Sequence, residues 1–223
     1  MISTQEKTLV SRLFPKTVVT AETTVFPPIG VLHPEELRYV RDAVRHRKRE
    51  YAAGRACARA GLAELGILGV TLLSGDDRLP IWPPGIAGSI THTDSYCAAA
   101  IVPTDLARSV GLDAEPNEPL DPELFPYVCS PSELLWLGAR ARSEQDQGRL
   151  AKLLFSVKEA VFKCQYPVTR RYLEFDEVQV ILDLNSAGFR AGVASHESLN
   201  GLSFSGKYLL TPDLILAGVL FPT

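Results

Sequence analysis

Ser109-Val110-Gly111-Leu112-Asp113-Ala114-Glu115 reads as a short apolar strand that ends in two carboxylates. Side chains alternate along a strand, so Asp113 and Glu115 point to the same side. Val110 and Leu112 mark the strand as buried, and Gly111 between them admits close approach of another backbone. Further on, Phe155-Ser156-Val157-Lys158-Glu159-Ala160-Val161-Phe162-Lys163 reads as a helix that presents a lysine and a third carboxylate. Brought against the strand, it completes an all-oxygen set, the kind Mg²⁺ prefers. Lys158 beside it suits a phosphate or diphosphate. Paired carboxylates repel one another, and a divalent cation relieves that repulsion. Plainer readings stay open. An Asp-x-Glu also ends strands that simply reach solvent, and Lys158 and Glu159 also fit an exposed helix face with a Glu159/Lys163 pair.

Outward from these two blocks the chain reads as α+β. Val18–Thr20 and Thr23–Phe26 suggest extended structure, closed by Pro27-Pro28. A helix is predicted from about Glu35 to Leu65, opened by Pro34 and early acids, with Gly54 or Gly61 as points of interruption. Tyr96–Val102 is a central strand. Asn117 to Pro126 is proline-rich and is taken as the boundary between an N-terminal lobe, 1–116, and a C-terminal lobe, 117–223. Pro131 opens a helix toward Arg142, Ser143 to Gly148 reads as a polar turn, and a second helix runs from about Leu150 to Gln165. Val178–Leu182, Gly188–Val193, Lys207–Leu210 and Leu214–Phe221 are strand signals, so a second helix-plus-sheet unit follows the first.

Composition narrows the function class. The 223 residues are 46% hydrophobic, ample for a core, and the formal net charge of −3 makes no case for nucleic acid. The charge is uneven, however: Arg38 to Arg59 holds eight Lys or Arg residues against Asp42 and Glu50. Cys57, Cys97, Cys129 and Cys164 are widely spaced, with no zinc-ligand pattern, and read as reduced thiols. No apolar run is long enough for a signal core or a membrane span, so the expected location is cytoplasmic.

Two further segments carry polar chemistry. Arg47, Tyr51, Arg55 and Arg59 recur every four residues on one helix face. A solvated charged face accounts for Arg38, Arg41 and Arg45. Arg55 and Arg59 sit among alanines, where an arginine is pinned by an anion or a carboxylate. Arg47-Lys48 is a further pair for a terminal phosphate. Gly88-Ser89-Ile90-Thr91-His92 offers two hydroxyls and the most suggestive histidine; it lacks the second glycine of a nucleophile elbow. Ser89 and His92 suit phosphate hydrogen bonding better than zinc. His33, His46 and His196 add no matching ligand set.

Together these blocks resemble the 4′-phosphopantetheinyl transferases, in particular the monomeric surfactin/enterobactin-type group. The resemblance runs through Arg47–Arg59, Trp82–His92, Val110–Pro116, Phe155–Lys163 and Pro167–Asp176, in that order. It implies two similar α+β lobes with coenzyme A bound between them. It further implies that Asp113, Glu115 and Glu159 hold Mg²⁺, or Mn²⁺ in its place, against the coenzyme A diphosphate. Arg47, Lys48 and Arg55 would take adenosine-phosphate or diphosphate contacts, Ser89 and His92 further phosphate contacts, and Lys158 the reacting diphosphate. One departure is Ser74, where relatives often carry a basic residue; Arg78, just beyond, is the candidate replacement.

The implied reaction is transfer of 4′-phosphopantetheine from coenzyme A to a carrier-protein serine, with Asp113, Glu115, Lys158 and Glu159 as the catalytic set. The implied partners are apo carrier domains of siderophore, nonribosomal-peptide, polyketide or fatty-acid synthases, served by a monomer, with the carrier docking beside Phe162 and Lys163. The residues alone also permit a Mg²⁺-dependent phosphohydrolase or nucleotidyl transferase, and a non-catalytic carrier-binding module that has kept the fold.

Overall fold

The computed structural model describes residues 2–4, 8–193 and 201–223; His196 lies outside them. Among the described residues, nine strands and five α-helices form two similar lobes in a pseudo-twofold arrangement, each an antiparallel sheet crossed by one long helix. The N-terminal sheet has the order β1 (Ser3–Thr4), β2 (Val19–Thr23), β4 (Cys97–Pro103), β3 (Ile86–His92). The C-terminal sheet runs β5 (Ser109–Pro116), β9 (Leu214–Phe221), β8 (Ser203–Leu210), β7 (Gly188–Val193), β6 (Val178–Asp183). Strand β5 pairs with β9 along its whole length, from Ser109↔Phe221 to Pro116↔Leu214. The sheets therefore divide between β4 and β5, earlier than the boundary at 116/117 expected from the prolines. The proline-rich stretch instead carries the chain from β5 to the helices of its own lobe.

The predicted helix over 35–65 is two elements. A single turn, α1 (Pro34–Leu37), is followed by a 3₁₀ turn and a break at Val44, which is extended and caps α2 (Arg45–Glu64). The short piece is fixed by Glu36, fully buried, whose carboxylate accepts from Arg59 at 2.7 and 3.0 Å and from the Leu72 N–H at 2.9 Å. Gly54 and Gly61 do not interrupt α2. At Gly61 the missing side chain makes room for Ile101 of β4, where a Cβ would collide. Alanines supply the rest of that face, so Ala53, Cys57, Ala58 and Leu62 pack directly on Ala99 and Ile101.

In the C-terminal lobe, α3 (Phe125–Val128) and α4 (Pro131–Arg140) precede the long α5 (Glu144–Thr169). The stretch predicted as a polar turn at Ser143–Gly148 is the start of α5. The Ser143 hydroxyl accepts from the Asp146 N–H at 3.1 Å, and Glu144 and Asp146 complement the helix dipole. Leu153, Leu154, Val157, Ala160 and Val161 bury α5 against Ala217 and Val219 of β9 and their neighbours. All four cysteines are buried free thiols, as expected. Among the described residues no helix is long and apolar enough to cross a membrane.

The lobes meet where β3 runs alongside β5. In place of a backbone ladder, two hydroxyls of β3 span the gap. Ser89 Oγ accepts from the Leu112 N–H at 3.0 Å, and Thr91 Oγ1 from the Ala114 N–H at 2.9 Å.

Candidate functional site

Gly111 decides the geometry of the acidic end. A Cβ there would collide with the Ala160 carbonyl, so its absence lets α5 lie directly on β5. Asp113 and Glu115, one pleat and two pleats on, then face Glu159 and Lys163 of that helix. Asp113 is buried at 3% exposure; its Oδ1 accepts from Lys163 Nζ at 2.6 Å, while its Oδ2 is buried without a hydrogen-bond partner. Thr91 Oγ1 stands 3.5 Å from Asp113 Oδ1 and helps to fix the carboxylate. Glu115 Oε2 accepts from Lys152 Nζ at 2.9 Å. Glu159 makes no hydrogen bond or ion pair among the described residues.

The three carboxylates feel one another. Burial raises the pKa of Glu159, Lys163 opposes the rise, and the charges of Asp113 and Glu115 add to it. Burial and the charge of Asp113 raise Glu115 in the same way, against Lys152 and Lys163. Burial pulls Lys163 down, yet Asp113, Glu159 and Glu115 together lift it above its ordinary value. This is a site with too much negative charge for its lysines. The donor set is all carboxylate oxygen, and the orphaned Asp113 Oδ2 is an atom that a cation satisfies. Asp113, Glu115 and Glu159 therefore fit a hard divalent ion. Their ligand atoms are not drawn as tightly together as those of His46, Glu50 and Asp94, which lie within 4.8 Å of one another. Lys163 and Lys152 hold the acidic oxygens in the present arrangement.

The two lysines of α5 part company. Lys158, expected at the reacting diphosphate, is 1% exposed and donates to Glu133 Oε2 at 2.7 Å and to the Val128 and Phe175 carbonyls at 2.8 Å each. All three ammonium protons are spent inside the C-terminal lobe. Its helical position turns it toward α3, α4 and the turn before β6, away from the cleft that Lys163 lines. Lys163 itself, expected on a carrier-docking rim, points into the cleft instead.

From Lys163 a cleft of about 830 Å³ opens between the lobes. Arg47, Arg55, Arg78, Arg108, Lys163 and Arg170 line it against only Glu50, Asp76 and Asp77, and Trp82, Pro80, Ile86 and Val168 give it an apolar wall. Arg47 donates to Glu50 Oε2 at 3.1 Å and lies 2.6 Å from His92 Nε2. Burial lowers the pKa of His92; Glu50 opposes this, and Arg47 and Lys163 reinforce it. A smaller cavity of about 70 Å³ is lined by Glu159 together with Lys158, Glu174, Phe162, Tyr172 and Phe175.

Of the residues expected on phosphate, Arg47, Arg55, Arg78, Ser89 and His92 line this cleft and Lys48 does not. Arg55 is partly spoken for: its Nε donates to the Leu72 carbonyl at 2.8 Å, an Nη to Ser74 Oγ at 2.7 Å, and its plane stacks 4.2 Å from the Tyr51 ring centroid. Ser74, where a basic residue was missed, is thus held by an arginine from α2. Ser89 departs from expectation more fully. Its hydroxyl is committed to the Leu112 backbone, so it joins the lobes rather than facing a ligand. Thr91 and Lys163 went unassigned as site residues, although both were legible. Thr91 shares a face of β3 with Ser89, and Lys163 lies one helical turn from Glu159.

Comparison with known proteins agrees with this architecture. Residues 35–102 match the 4′-phosphopantetheinyl transferase N-terminal domain, and residues 109–211 match the 4′-phosphopantetheinyl transferase superfamily, a division that falls between β4 and β5. The chain is 38% identical to 4′-phosphopantetheinyl transferase Svp of Streptomyces mobaraensis over 86% of its own length and 79% of that protein. It is 33% identical to 4′-phosphopantetheinyl transferase Npt of Nocardia iowensis over 96% of its length and all of that protein. Similarity to enterobactin synthase component D of Salmonella typhimurium is 32%, over 72% and 62% of the two chains. With the acidic end, the basic cleft and both lobes accounted for, the chain belongs to the 4′-phosphopantetheinyl transferase superfamily and is an enzyme of that type.

Proposed function

We propose that this enzyme transfers 4′-phosphopantetheine from coenzyme A to a serine of an apo carrier protein in a Mg²⁺-dependent reaction, releasing adenosine 3′,5′-bisphosphate. The observation that carries the reading is the buried, unpartnered Asp113 Oδ2 beside Glu115 and Glu159 at the lysine end of an arginine-lined cleft. Asp113, Glu115 and Glu159 would hold the ion, which when bound supplies neutralising charge to the diphosphate. The residues of the chain do the rest. Lys163, placed between the acids and the cleft, offers positive charge to the same phosphates. Arg47 and His92 meet a phosphate oxygen farther along, and the apolar wall around Trp82 suits a nucleobase. The diphosphate then lies at the Lys163 end of the cleft, next to the three carboxylates. The serine oxygen attacks the β-phosphorus, the bond to the bridging diphosphate oxygen breaks, and the serine proton leaves to Glu159 or through a water that Glu159 orients. Both walls of the cleft come from one chain, which supports a monomer as the working unit. The relatives' range, from Svp and Npt to an enterobactin synthase component, favours carrier domains of secondary metabolism, siderophore assembly among them.

One measurement tests the reading. Incubated with coenzyme A, Mg²⁺ and an apo carrier domain, the enzyme adds the mass of one phosphopantetheine to the carrier, and a chelator stops the addition. Coenzyme A cleaved without carrier modification would make it a hydrolase. Tight carrier binding with no product would make it a binding module.

A further inference from the structure

We infer that Glu50 is a positioning residue of this cleft, holding Arg47 and His92 in the orientation that receives a phosphate oxyanion; the inference rests on the transferase reading above. Glu50 is buried at 8% exposure, yet it lines a cleft whose other charged groups are mostly basic. A carboxylate on the wall of a polyanion site repels the ligand, so its presence there calls for a compensating role.

The geometry supplies that role. From the second turn of α2, Glu50 Oε2 accepts from Arg47 Nη1 at 3.1 Å. Its Oε1 reaches across to the end of β3, 3.4 Å from His92 Nδ1, and also lies 3.1 Å from His46 Nε2. The ring closes with Arg47 Nη1 at 2.6 Å from His92 Nε2. A guanidinium has no acceptor, so Nε2 accepts in that contact and the neutral imidazole carries its proton on Nδ1, toward Glu50. One carboxylate thus faces the protonated side of the histidine and holds the fork of the arginine, on elements belonging to two different parts of the N-terminal lobe. Arg47 is half exposed and rotamer-rich, and His92 sits at the end of its strand; apart from their contact with each other, Glu50 is the side-chain partner of both among the described residues.

The same carboxylate also belongs to the His46, Glu50, Asp94 group with metal-compatible spacing. The surroundings oppose a cation there. Arg47 occupies the second oxygen of Glu50, and the positive end of α2 lies one turn away. A single N–H on His46 Nε2, shared between Glu50 and Asp94, accounts for the contacts at 3.1 and 3.2 Å.

Two variants, E50Q and E50A, test the inference with steady-state kinetics and with long-range ¹H–¹⁵N spectra of ¹⁵N-histidine-labelled protein. In the wild type His92 gives the Nδ1–H signature. In E50A that signature is lost and the KM for coenzyme A rises about tenfold, as for a lost charge-assisted hydrogen bond, while kcat and the KM for the carrier stay near wild type. E50Q, which keeps the shape and one acceptor, lies between. Thermal unfolding of both variants separates a collapsed cleft from a misoriented pair. An unchanged His92 tautomer with an unchanged coenzyme A KM in folded E50Q and E50A overturns the inference, as do equal rises in both KM values. Stoichiometric Zn²⁺ binding that survives D113N and disappears in E50Q also overturns it, in favour of a metal site. A wild-type enzyme that modifies no carrier would instead fail the transferase reading, a result visible before any variant is made.

Discussion

The two lobes neutralise their own charge in opposite senses. In the N-terminal lobe, acids lie buried beneath arginines: Glu36 under Arg59, and Glu50 under Arg47. In the C-terminal lobe, lysines serve acids: Lys158 with buried Glu133, Lys163 with buried Asp113, Lys152 with half-buried Glu115. What each lobe leaves over is therefore opposite. Arg78 and Lys48 carry positive charge on the N-terminal side with no acid paired to them among the described residues. At the acidic end, Asp113 Oδ2 and Glu159 have no hydrogen-bond partner among the described residues. This contrast is what the proposed diphosphate with a divalent ion would complement. The strongest attack on this contrast is D113A. It removes the orphaned oxygen and the partner of Lys163 together, and carrier modification should fall by roughly 10³-fold, the scale at which one fixed electrostatic group acts in a transition state. Intact-mass kinetics at saturating coenzyme A reads it, and near-wild-type turnover would break the assignment of the acidic end.

Next come the two lysines of α5, which share a helix and not a task. K163A should lower transfer about 100-fold, because its ammonium faces the acids and the cleft, and should cost less stability than loss of Lys158, because Lys163 is 27% exposed. K158M should do the reverse. Lys158 and Glu133 are both almost fully buried, and removing one partner of such a pair strands the other at a cost of about 3–5 kcal/mol. Urea unfolding and activity measured on the same two proteins separate the cases. Were K158M stable but inactive, Lys158 would belong to the chemistry after all, as the sequence suggested.

That pair also shows where sequence stops informing. Asp113, Glu115 and Glu159 were legible as a set because strand alternation and a glycine between apolar neighbours restrict where they point. The orientation of a lysine around a helix depends on what packs there. The side of α5 that carries Lys158 is covered by α3 and α4, which pack on it from residues 125 to 140. Ser89 was misjudged for a related reason: its role depends on β5 lying alongside β3 without a ladder, a contact between elements with no local signature. The break before Arg45 was hidden because Glu36 is pinned by Leu72, far along the chain. Alternation, capping and glycine are local properties and were readable; sheet membership and buried pairing are not.

A third contrast is a gain of stability. The pKa of Glu159 is raised in the folded protein by burial and by its acidic neighbours, against the pull of Lys163. A carboxylate raised on folding prefers to be protonated there. Its contribution is thus complete below the ordinary carboxylate pKa of about 4.3 and is lost as pH rises through the elevated value. E159Q removes the titration. Without metal, its melting temperature should equal that of the wild type in acid, rise above it as pH climbs toward neutrality, and then run parallel. Mg²⁺ should stabilise the wild type and do much less for E159Q. A wild type that outlasts E159Q at neutral pH without metal would mean that Glu159 is paired in a way this geometry does not provide.

The weakest link between the lobes is Arg170 with Asp77, which crosses the mouth of the cleft at 2.5 Å. Unlike Lys163 with Asp113, it is largely in water: Arg170 is 62% exposed, and Asp77 28%. Water and salt screen such a pair, and exposed pairs are worth about 0.2–1 kcal/mol. Arg170 also closes α5 in the left-handed region, at φ 56°, where an arginine is strained and a glycine is not. R170A and R170G delete the same ion pair, so their difference in stability isolates the backbone, with R170G the more stable. If the pair only latches the cleft, both variants should weaken coenzyme A binding equally, by at most about fivefold, and the weakening should vanish at high salt, as titration calorimetry at two ionic strengths would show. A loss as large as that of K163A would mean that Arg170 turns from Asp77 to the substrate when the cleft is filled, which moves it from the latch to the phosphate contacts and gives the C-terminal lobe a second cation toward the ligand.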